Sequence, residues 1–344
     1  MERTGPAHAR PPQPLFAHPP AARPMDVIHI TNHEGRSSPH PAVVTIGNFD
    51  GVHLGHQALI GRVVAEAGRM GVASALLTFH PHPQTIIRGE APPMITTSAM
   101  RLRLFEQLGL DAAYFIPFTR EFSKITPAAF VNSYLFTHFQ IRKLMIGYDF
   151  HFGRGRSGSA EVLEQLSKDH GFDFEVFPEV TLDGAKVSSS AIRAALGALD
   201  FETARAFLGR PFSILEKVSL GQRRGRTLGF PTINQEAEDP LPIPFGVYAS
   251  QAIVKDNTAG ERTLAGVSNY GIRPTVGGTS PVLETHLFDF ERDLYGELVE
   301  VIPLRRLREE RKFASLEELT RQIGLDCDQA RAFHGDTAFH GEAC

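Results

Sequence analysis

A chain of 344 residues exceeds the usual size of one domain and predicts two. Its 42% of hydrophobic and 22% of charged residues are typical of globular proteins, so each half can bury its own core. The formal net charge of −4 excludes the global basic field of a nucleic-acid-binding protein, so phosphate ligands must meet locally placed arginines and backbone amides.

The composition and the N-terminal segment predict a cytoplasmic protein. Cys327 and Cys344 are the only cysteines, which gives neither a disulfide framework nor a metal-binding spacing. No apolar run approaches the ~20 residues of a membrane span. Residues 1–24 are rich in Pro, Ala, Arg and His, lack the apolar core of a secretory signal and are predicted to be a disordered extension. We expect translation to start at Met25, or residues 1–24 to be dispensable.

Apolar runs alternate with helical periodicity over the first predicted domain, residues 25–199. Strands are predicted at 42–46, 72–79, 113–116 and 143–146, and helices at 59–70, 101–108 and 127–139. Strand–helix–strand units of this length form a parallel sheet that binds ligands at the carboxyl ends of its strands. This half is therefore predicted to be an α/β nucleotide-binding domain.

The second half of the chain has a different hydrophobic pattern. A helical stretch at 191–208 joins the halves, and residues 200–211 are assigned to a linker. Short β-branched or aromatic runs at 247–254, 264–267, 283–290 and 298–302 then predict a small antiparallel barrel, the domain 212–330. A closing helix is predicted at 313–323 with Ser315 as its N-cap, and residues 331–344 are assigned to a tail.

The sharpest motif is GNFDGVHLGH, residues 47–56, directly between a strand and a helix. A helix N-terminus offers unpaired amides to an anion, and Gly51 and Gly55 let a phosphate approach the backbone. His53 and His56 lie on the same side of the first turn, where both can donate to phosphate oxygens. Solvated histidines or a metal site are the alternatives, but the strand–turn–helix context favours the phosphate site.

Three further segments of the first half could contact ligands. Residues 187–193 (VSSSAIR) open a helix and offer serine hydroxyls and Arg193 to a phosphate, the alternative being a plain helix cap. Residues 147–158 (GYDFHFGRGRSG) form a flexible connection or, as their aromatic lead-in and two arginines favour, a lid over a polyanion. Residues 78–83 (TFHPHP) form a wall for a flat ring or a Pro-stiffened turn.

Two segments of the second half carry chemistry. In the basic glycine loop 221–234, Thr232 and Asn234 stand two apart in extended backbone and offer two neutral oxygens to Mg²⁺. A turn with polar caps is the alternative, which the preceding glycines disfavour. Glu284 shares a strand face with Val282, Phe288 and Phe290, and is either a proton acceptor or the structural partner of a cation such as Arg273.

The order GNFDGVHLGH, TFHPHP, GYDFHFGRGRSG, VSSSAIR resembles the FMN adenylyltransferase half of the bacterial bifunctional riboflavin kinase/FAD synthetases, whose HxGH-type nucleotidyltransferase domain is Rossmann-like. The resemblance implies that His53 and His56 act on the ATP phosphates together with Arg193, and that Phe79 and Pro81 flank the flavin. The predicted nucleotide-binding residues of this half are Asn48, Phe49, Asp50, Gly51, Gly55, Asp149, Arg154, Arg156, Ser188, Ser189 and Arg193. Pro83 is added to the flavin wall. Ser190 and His151 depart from the usual Thr and Arg.

The later segments, with FGVY at 245–248 and DLYG at 293–296, resemble the riboflavin kinase half of the same family. The resemblance implies that Thr232 and Asn234 bind Mg²⁺-ATP and that Glu284 accepts a proton from the ribityl hydroxyl; Ile233 replaces a usual Ala. The remaining predicted contacts are Gly221, Arg226, Gly229 and Phe230 for nucleotide and Arg273 for flavin.

The predicted function is thus phosphorylation of riboflavin to FMN, followed by adenylylation of FMN to FAD. ATP is the co-substrate of both steps, Mg²⁺ the metal and FMN the intermediate. The expected partners are these small molecules, neither nucleic acid nor membrane, and homo-oligomer formation is left open. The alternatives are a chain with one active half and one flavin-binding regulatory half, and a nucleotidyltransferase for another acceptor.

Overall fold

The structure, a computed structural model, describes residues 24–30, 41–221, 228–256, 260–275 and 278–338. The chain divides into two compact units. The first comprises the residues up to Gly89 together with Leu104–Ser188, and the second comprises Glu90–Arg103 and the residues from Ser189 onward. The sequence places its boundary after residue 199, so the segment 90–103 and the helix that follows Ser188 group differently from that prediction.

A parallel sheet forms the centre of the first unit, in the order β1-β4-β3-β2-β5-β6. Its strands are β1 (Asp26–His29), β2 (Pro41–Ile46), β3 (Ala73–His80), β4 (Ala112–Pro117), β5 (Gln140–Gly147) and β6 (Asp173–Phe177). Without the edge strand β1 this is the order 3-2-1-4-5 of doubly wound nucleotide-binding sheets. The chain order reverses between β2 and β5, so a ligand crevice is expected at the carboxyl ends of these two strands.

Helices and a small hairpin complete this part of the chain. They are α1 (Leu54–Met70), α2 (Pro83–Arg88), α3 (Ser98–Gln107), α4 (Pro127–Phe130), α5 (Phe136–His138), α6 (Ala160–His170) and the hairpin strands β7 (Thr181–Leu182) and β8 (Ala185–Lys186). The predicted strands and helices are confirmed, except that a π-helical turn at Val131–Leu135 interrupts the predicted helix 127–139. Strand β2 is buried from Ala42 to Ile46, because helices cover both faces of a parallel sheet and shield its strands from water.

A buried carboxylate on α1 pairs with several cations in this unit. Glu66 is 4% exposed and accepts hydrogen bonds from Arg69 Nη2 at 2.9 Å, Lys143 Nζ at 3.2 Å and Arg62 Nη1 at 3.3 Å. The hydrogen bond from Arg69, reinforced by Lys143, lowers the pKa of Glu66 to about 2, although burial opposes the shift.

Glu66→Gln should destabilise the first unit at neutral pH, and the loss should fade in acid. The folded pKa of about 2 lies below the ordinary 4.5, so the ionised group stabilises the fold fully above pH ~4.5 and loses this effect as the pH falls through about 2. Thermal melts at stepped pH should therefore show the parent and variant midpoints converging. Glu164→Gln is the control, because its pair with Lys168 is exposed and contributes little. Parallel pH profiles of parent and Glu66→Gln would contradict the expectation.

The second unit is built on an antiparallel sheet in the order β10-β13-β12-β11-β14-β9. Its elements are α7 (Ser189–Gly197), α8 (Phe201–Leu208), β9 (Ile214–Lys217), β10 (Ile233–Glu236), β11 (Gly246–Asp256), β12 (Gly260–Thr275), β13 (Gly278–Leu287), β14 (Leu298–Arg308) and α9 (Leu316–Ala338). The two edges meet where Ser219 N donates to Asn234 O at 2.8 Å. Gln235 Nε2 also donates across this seam, to Glu216 O at 3.0 Å and Val299 O at 2.7 Å. The sheet is thus a nearly closed six-stranded barrel, as predicted.

Several boundaries differ from the sequence prediction. The stretch 191–208 is two helices, because Leu199 adopts a positive φ of 62° and Asp200 caps the second helix. The strand predicted at 283–290 ends at Leu287, and Asp289 turns the chain with a φ of 54°.

The C-terminal helix α9 is also longer than predicted. Ser315 caps it as predicted, since its Oγ accepts from Glu318 N at 3.2 Å. Residues 331–338, assigned above to a tail, continue this helix. Cys327 and Ala330 are buried in a core cluster with Val247 and Val267, and Phe333 packs against the same cluster.

Candidate functional sites

The histidine motif occupies the carboxyl end of β2, where the crevice of the parallel sheet is expected. His53 is the N-cap of α1, and its Nδ1 accepts a hydrogen bond from His56 N at 3.3 Å. The neutral ring therefore carries its proton on Nε2, the nitrogen that can donate to a phosphate oxygen. The two imidazoles stack with centroids 3.6 Å apart and an interplanar angle of 18°, on the same side of the first turn as predicted.

His56 is held in its neutral form. Burial lowers its pKa well below the ordinary value, and the neighbouring His53 adds to this shift. Its Nδ1 is buried and has no hydrogen-bond partner in the described part of the chain. The ring packs edge-on against Phe49, with centroids 5.2 Å apart. A neutral imidazole whose orientation is fixed can donate a hydrogen bond to a phosphate oxygen, because it carries no charge from which water must first be removed.

The backbone of this loop is strained. Phe49, Gly51 and Val52 all have positive φ, at 51°, 87° and 40°, and the two side chains among them are buried. At residues with a side chain, here Phe49 and Val52, such conformations cost of order 1–3 kcal/mol each and cluster at ligand-binding loops, whereas glycine adopts them without strain. At Gly55, a Cβ would lie 3.2 Å from the His53 ring, so glycine lets the imidazole lie across the helix start. Asp50 is 2% exposed, which leaves it little surface for a nucleotide.

The loop after β5 borders the same crevice. Backbone hydrogen bonds join Phe152 and Gly158 in both directions, at 3.2 and 2.9 Å, and the Phe152 ring is buried. Between them Arg154 and Arg156 are exposed, and their role in a lid over a polyanion stays a prediction. Asp149 is exposed just after the strand end. His151, the departure from the family pattern, has its Nδ1 2.9 Å from the Asp149 carbonyl oxygen.

The predicted flavin wall is mostly packed against protein. Phe79 is 9% exposed and meets Phe118 edge-on at 5.7 Å, so a flavin could touch only the remaining part of its ring. Pro83 is the first residue of α2, which His82 caps through Gln84 N at 3.2 Å. Pro81 is half-buried beside them.

The serine–arginine motif spans the two units along the chain. Ser188 is the last residue of the first unit, and Ser189 opens α7 in the second, which confirms that the motif begins a helix. Arg193 belongs to the second unit, where its Nε donates to Pro93 O at 2.8 Å.

The second site lies at the barrel seam. Asn234 is 4% exposed, its Nδ2 donates to Thr232 O at 3.4 Å, and its Oδ1 is buried with no hydrogen-bond partner among the described residues. The Thr232 side chain is half-buried two residues earlier. A Cβ on Gly221 would overlap the Asn234 amide, so glycine is required there for the amide to fit.

Strand register aligns three polar side chains across the barrel wall. Asn234 on β10 lies opposite Glu284 on β13, and Glu284 lies opposite Asn269 on β12. Directly opposite residues share a face, with Cβ atoms about 4.5–5.5 Å apart. Asn269 is half-buried and has no counterpart in the sequence analysis. Only its place in GVSNYG, a strand with an isolated amide, could have drawn attention to it.

The remaining predicted contacts of this half are less well defined. Arg226 lies outside the described residues, as do residues 1–23 and 339–344, and the side chain of Arg273 is not described. Backbone pairing places Arg273 opposite Ser280, four residues along β13 from Glu284. Gly229 has a φ of 87°, and Phe230 packs against the cluster beneath α9.

Two further observations concern metals and membranes. No cluster of three or more His, Cys, Asp and Glu side chains in the described ranges could hold a metal ion. None of the helices described is both long and apolar enough to span a bilayer.

Comparison with protein families gives one match for each half of the chain. Residues 35–191 match the family model for FAD synthetase, and residues 208–334 match that for riboflavin kinase. The first match contains the stacked histidines, and the second contains the Asn234–Glu284 pair.

Curated relatives match nearly the whole chain. A bifunctional riboflavin kinase/FMN adenylyltransferase of Escherichia coli K12 is 36% identical over 91% of this chain and 99% of its own length. Those of Pseudomonas fluorescens and Bacillus subtilis are 38% and 35% identical, each over 89% of this chain and 97% of its own length. Among solved structures, a Streptococcus pneumoniae protein named "Macrolide-efflux Protein" superposes with a TM-score of 0.68 and 28% identity, covering 88% of this chain and 97% of that one.

Proposed function

This chain belongs to the bifunctional riboflavin kinase/FMN adenylyltransferase family, and from that premise we propose that it phosphorylates riboflavin with ATP and then adenylylates the resulting FMN to FAD. The observation that carries the proposal is the presence of two separate sites. The histidine pair at the start of α1 lies in the first unit, and the Asn234–Glu284 pair lies in the second.

The adenylyl transfer is assigned to the first unit. A phosphate oxygen of FMN attacks the α-phosphorus of ATP, and the bond to the β-phosphate breaks to release pyrophosphate. A phosphate dianion is already a nucleophile, so the protein has to orient the reactants and stabilise the growing negative charge. His53 donates from Nε2, and the amides at the start of α1 add their partial positive charge.

The phosphoryl transfer is assigned to the barrel. Glu284 accepts the proton of the riboflavin 5′-hydroxyl, whose oxygen attacks the γ-phosphorus of ATP as the bond to ADP breaks. The Asn234 and Asn269 amides flank this carboxylate in the strand register. They are neutral donors and acceptors, so they can orient the carboxylate without neutralising it.

Magnesium fits the residues beside Glu284. Asn234 Oδ1 is a buried oxygen without a hydrogen-bond partner in the described ranges, which a hard cation would satisfy. We propose that Thr232 and Asn234 hold Mg²⁺, which when bound would neutralise charge on the ATP phosphates. The cytoplasm is the proposed compartment, because the chain has two cysteines and no disulfide framework.

Asn234→Ala should raise the Mg²⁺ concentration needed for riboflavin phosphorylation, because a sparsely liganded ion loses one of its few protein oxygens. A magnesium titration of the kinase step checks this, with FMN-to-FAD conversion as the internal reference. Glu236→Gln is the control, since Glu236 lies on the same strand two residues after Asn234 and is exposed. Unchanged kinase kinetics in Asn234→Ala across the titration would remove Asn234 from the site.

The whole proposal is tested by incubating the pure protein with riboflavin, Mg²⁺ and ATP, followed by chromatography of the flavins. We expect FMN to appear first and FAD to follow. FMN without FAD, or FAD only from added FMN, would favour the alternative in which one half is a binding module. Neither product would reject the proposed function.

A further inference from the structure

The side chain of His286 holds the turn that enters strand β10. Its Nδ1 lies 2.7 Å from the Pro231 carbonyl oxygen. A carbonyl oxygen can only accept a hydrogen bond, so Nδ1 is the donor and carries a proton. The ring meets Phe230 edge-on at 5.8 Å and Phe288 at 5.7 Å, with interplanar angles of 86° and 74°. Both the hydrogen bond and the two ring contacts therefore fix its orientation.

The hydrogen bond from His286 to Pro231 lies just beyond the end of the backbone pairing between β10 and β13. The pairing of β10 with β13 begins at Ile233 opposite Thr285, so Thr232 lies just outside it. His286 is the next residue of β13, and it reaches across with its side chain to the carbonyl that directly precedes Thr232. Thr232 is thus anchored on one side by the ladder and on the other by the imidazole.

The same strand also carries the proposed proton acceptor. Side chains two apart in a strand point to the same face, so His286 and Glu284 share one face of β13. Glu284 lies opposite Asn234, while His286 donates a hydrogen bond to the Pro231 carbonyl oxygen. One rigid strand therefore fixes both the carboxylate and the segment 231–234 that bears the proposed metal oxygens.

We propose that His286 is a positioning residue of the kinase site, which holds the Thr232 hydroxyl and the Asn234 amide in place for a divalent cation by donating Nδ1–H to Pro231 O. The imidazole is neither a metal ligand nor a proton acceptor in this scheme. The inference rests on the kinase site proposed above. It adds a residue that acts indirectly, by positioning Thr232 and Asn234.

The test compares His286→Ala with His286→Asn in the full-length protein. An Asn amide nitrogen stands close to the position of an imidazole Nδ1, so Asn can restore the donor while Ala removes it. The first readout is hydrogen–deuterium exchange of peptides covering residues 228–236, measured without metal or nucleotide. The second is a Mg²⁺ titration of riboflavin phosphorylation, with Asn234→Ala measured alongside.

We expect His286→Ala to speed exchange in 228–236 and to raise the half-saturating Mg²⁺ concentration by ~10–100-fold, the usual effect of losing a group that orients metal ligands. Turnover at saturating Mg²⁺ should fall much less, and FMN-to-FAD conversion should stay at the parent rate. His286→Asn should recover most of both kinase-side changes.

Three results would overturn the inference, each in a distinguishable way. If Asn234→Ala raises the Mg²⁺ requirement and His286→Ala changes neither readout, His286 does not position the site although the metal site stands. If His286→Asn is as impaired as His286→Ala, packing against Phe230 and Phe288, and not the hydrogen bond, carries the effect. If neither Asn234→Ala nor His286→Ala alters the Mg²⁺ titration, the proposed metal site fails and the inference fails with it.

Discussion

Replacing His53 or His56 by alanine should cut FAD formation from FMN by ~10²–10³-fold, the usual cost of losing a positioned donor to a transferring phosphate. Riboflavin phosphorylation should continue, because the proposed kinase residues lie in the other compact unit. FMN should therefore accumulate when the variant is supplied with riboflavin and ATP. Chromatography of the flavins over time, with riboflavin or FMN as the starting substrate, measures both steps.

His53→Asn separates catalysis from folding. His53 also caps α1 through Nδ1, and losing a helix cap costs ~1 kcal/mol. An Asn side chain can accept the same hydrogen bond from His56 N but has no Nε2. His53→Asn should thus melt close to the parent while remaining as inactive in adenylyl transfer as His53→Ala. If His53→Asn regained adenylyl transfer, the cap and not the imidazole donor would be the function of this residue.

Glu284→Gln should reduce riboflavin phosphorylation by ~10²–10⁴-fold, the usual contribution of a general base. Glutamine keeps the size and hydrogen-bonding reach of the side chain next to Asn234 and Asn269, but it cannot accept the proton. Riboflavin binding should change little, and FMN-to-FAD conversion should be untouched. Single-turnover phosphorylation together with riboflavin binding measures the effect.

A structural role for Glu284 would give a different signature. Breaking a buried ion pair costs ~3–5 kcal/mol, so a structural glutamate would show a lower melting temperature of the barrel and a milder kinetic defect. Glu300→Gln is the matched control, because Glu300 is a barrel carboxylate paired with Arg103 at 2.9 Å. It should alter stability and leave phosphorylation near the parent rate. A stable Glu284→Gln variant that binds riboflavin and phosphorylates it at the parent rate would end the assignment.

The elements of the first unit were predictable because local signals determine them. Strands such as β2 and β3 are mostly apolar, and a parallel sheet covered on both faces buries them almost throughout. In the second unit the N-cap Ser315 was predictable in the same way, because a helix cap depends only on residues within one turn. The placement of the histidine pair at a strand–helix junction follows from the same short-range pattern.

Lengths and groupings were less predictable. Strands β12 and β14 extend beyond their apolar runs, to Thr275 and Arg308, because ladder hydrogen bonds continue through polar residues once a partner strand is in place. Helix α9 continues to Ala338 because Ala330 and Phe333 pack against the barrel residues Val247 and Val267. The hydrophobic pattern of residues 90–103 does not indicate that this segment groups with the second unit.

The two-part organisation, the parallel and antiparallel sheets, and the short motifs that open α1 and enter β10 follow from the sequence, since each depends on neighbours within a few residues. Which side chains lie opposite one another across strands follows from the three-dimensional fold alone. Asn234, Glu284 and Asn269 come from three strands up to fifty residues apart, and His286 reaches Pro231 over a separation of 55 residues. These juxtapositions depend on the pairing register of the barrel strands. A one-residue shift in the register of a strand would turn its side chains to the opposite face of the sheet.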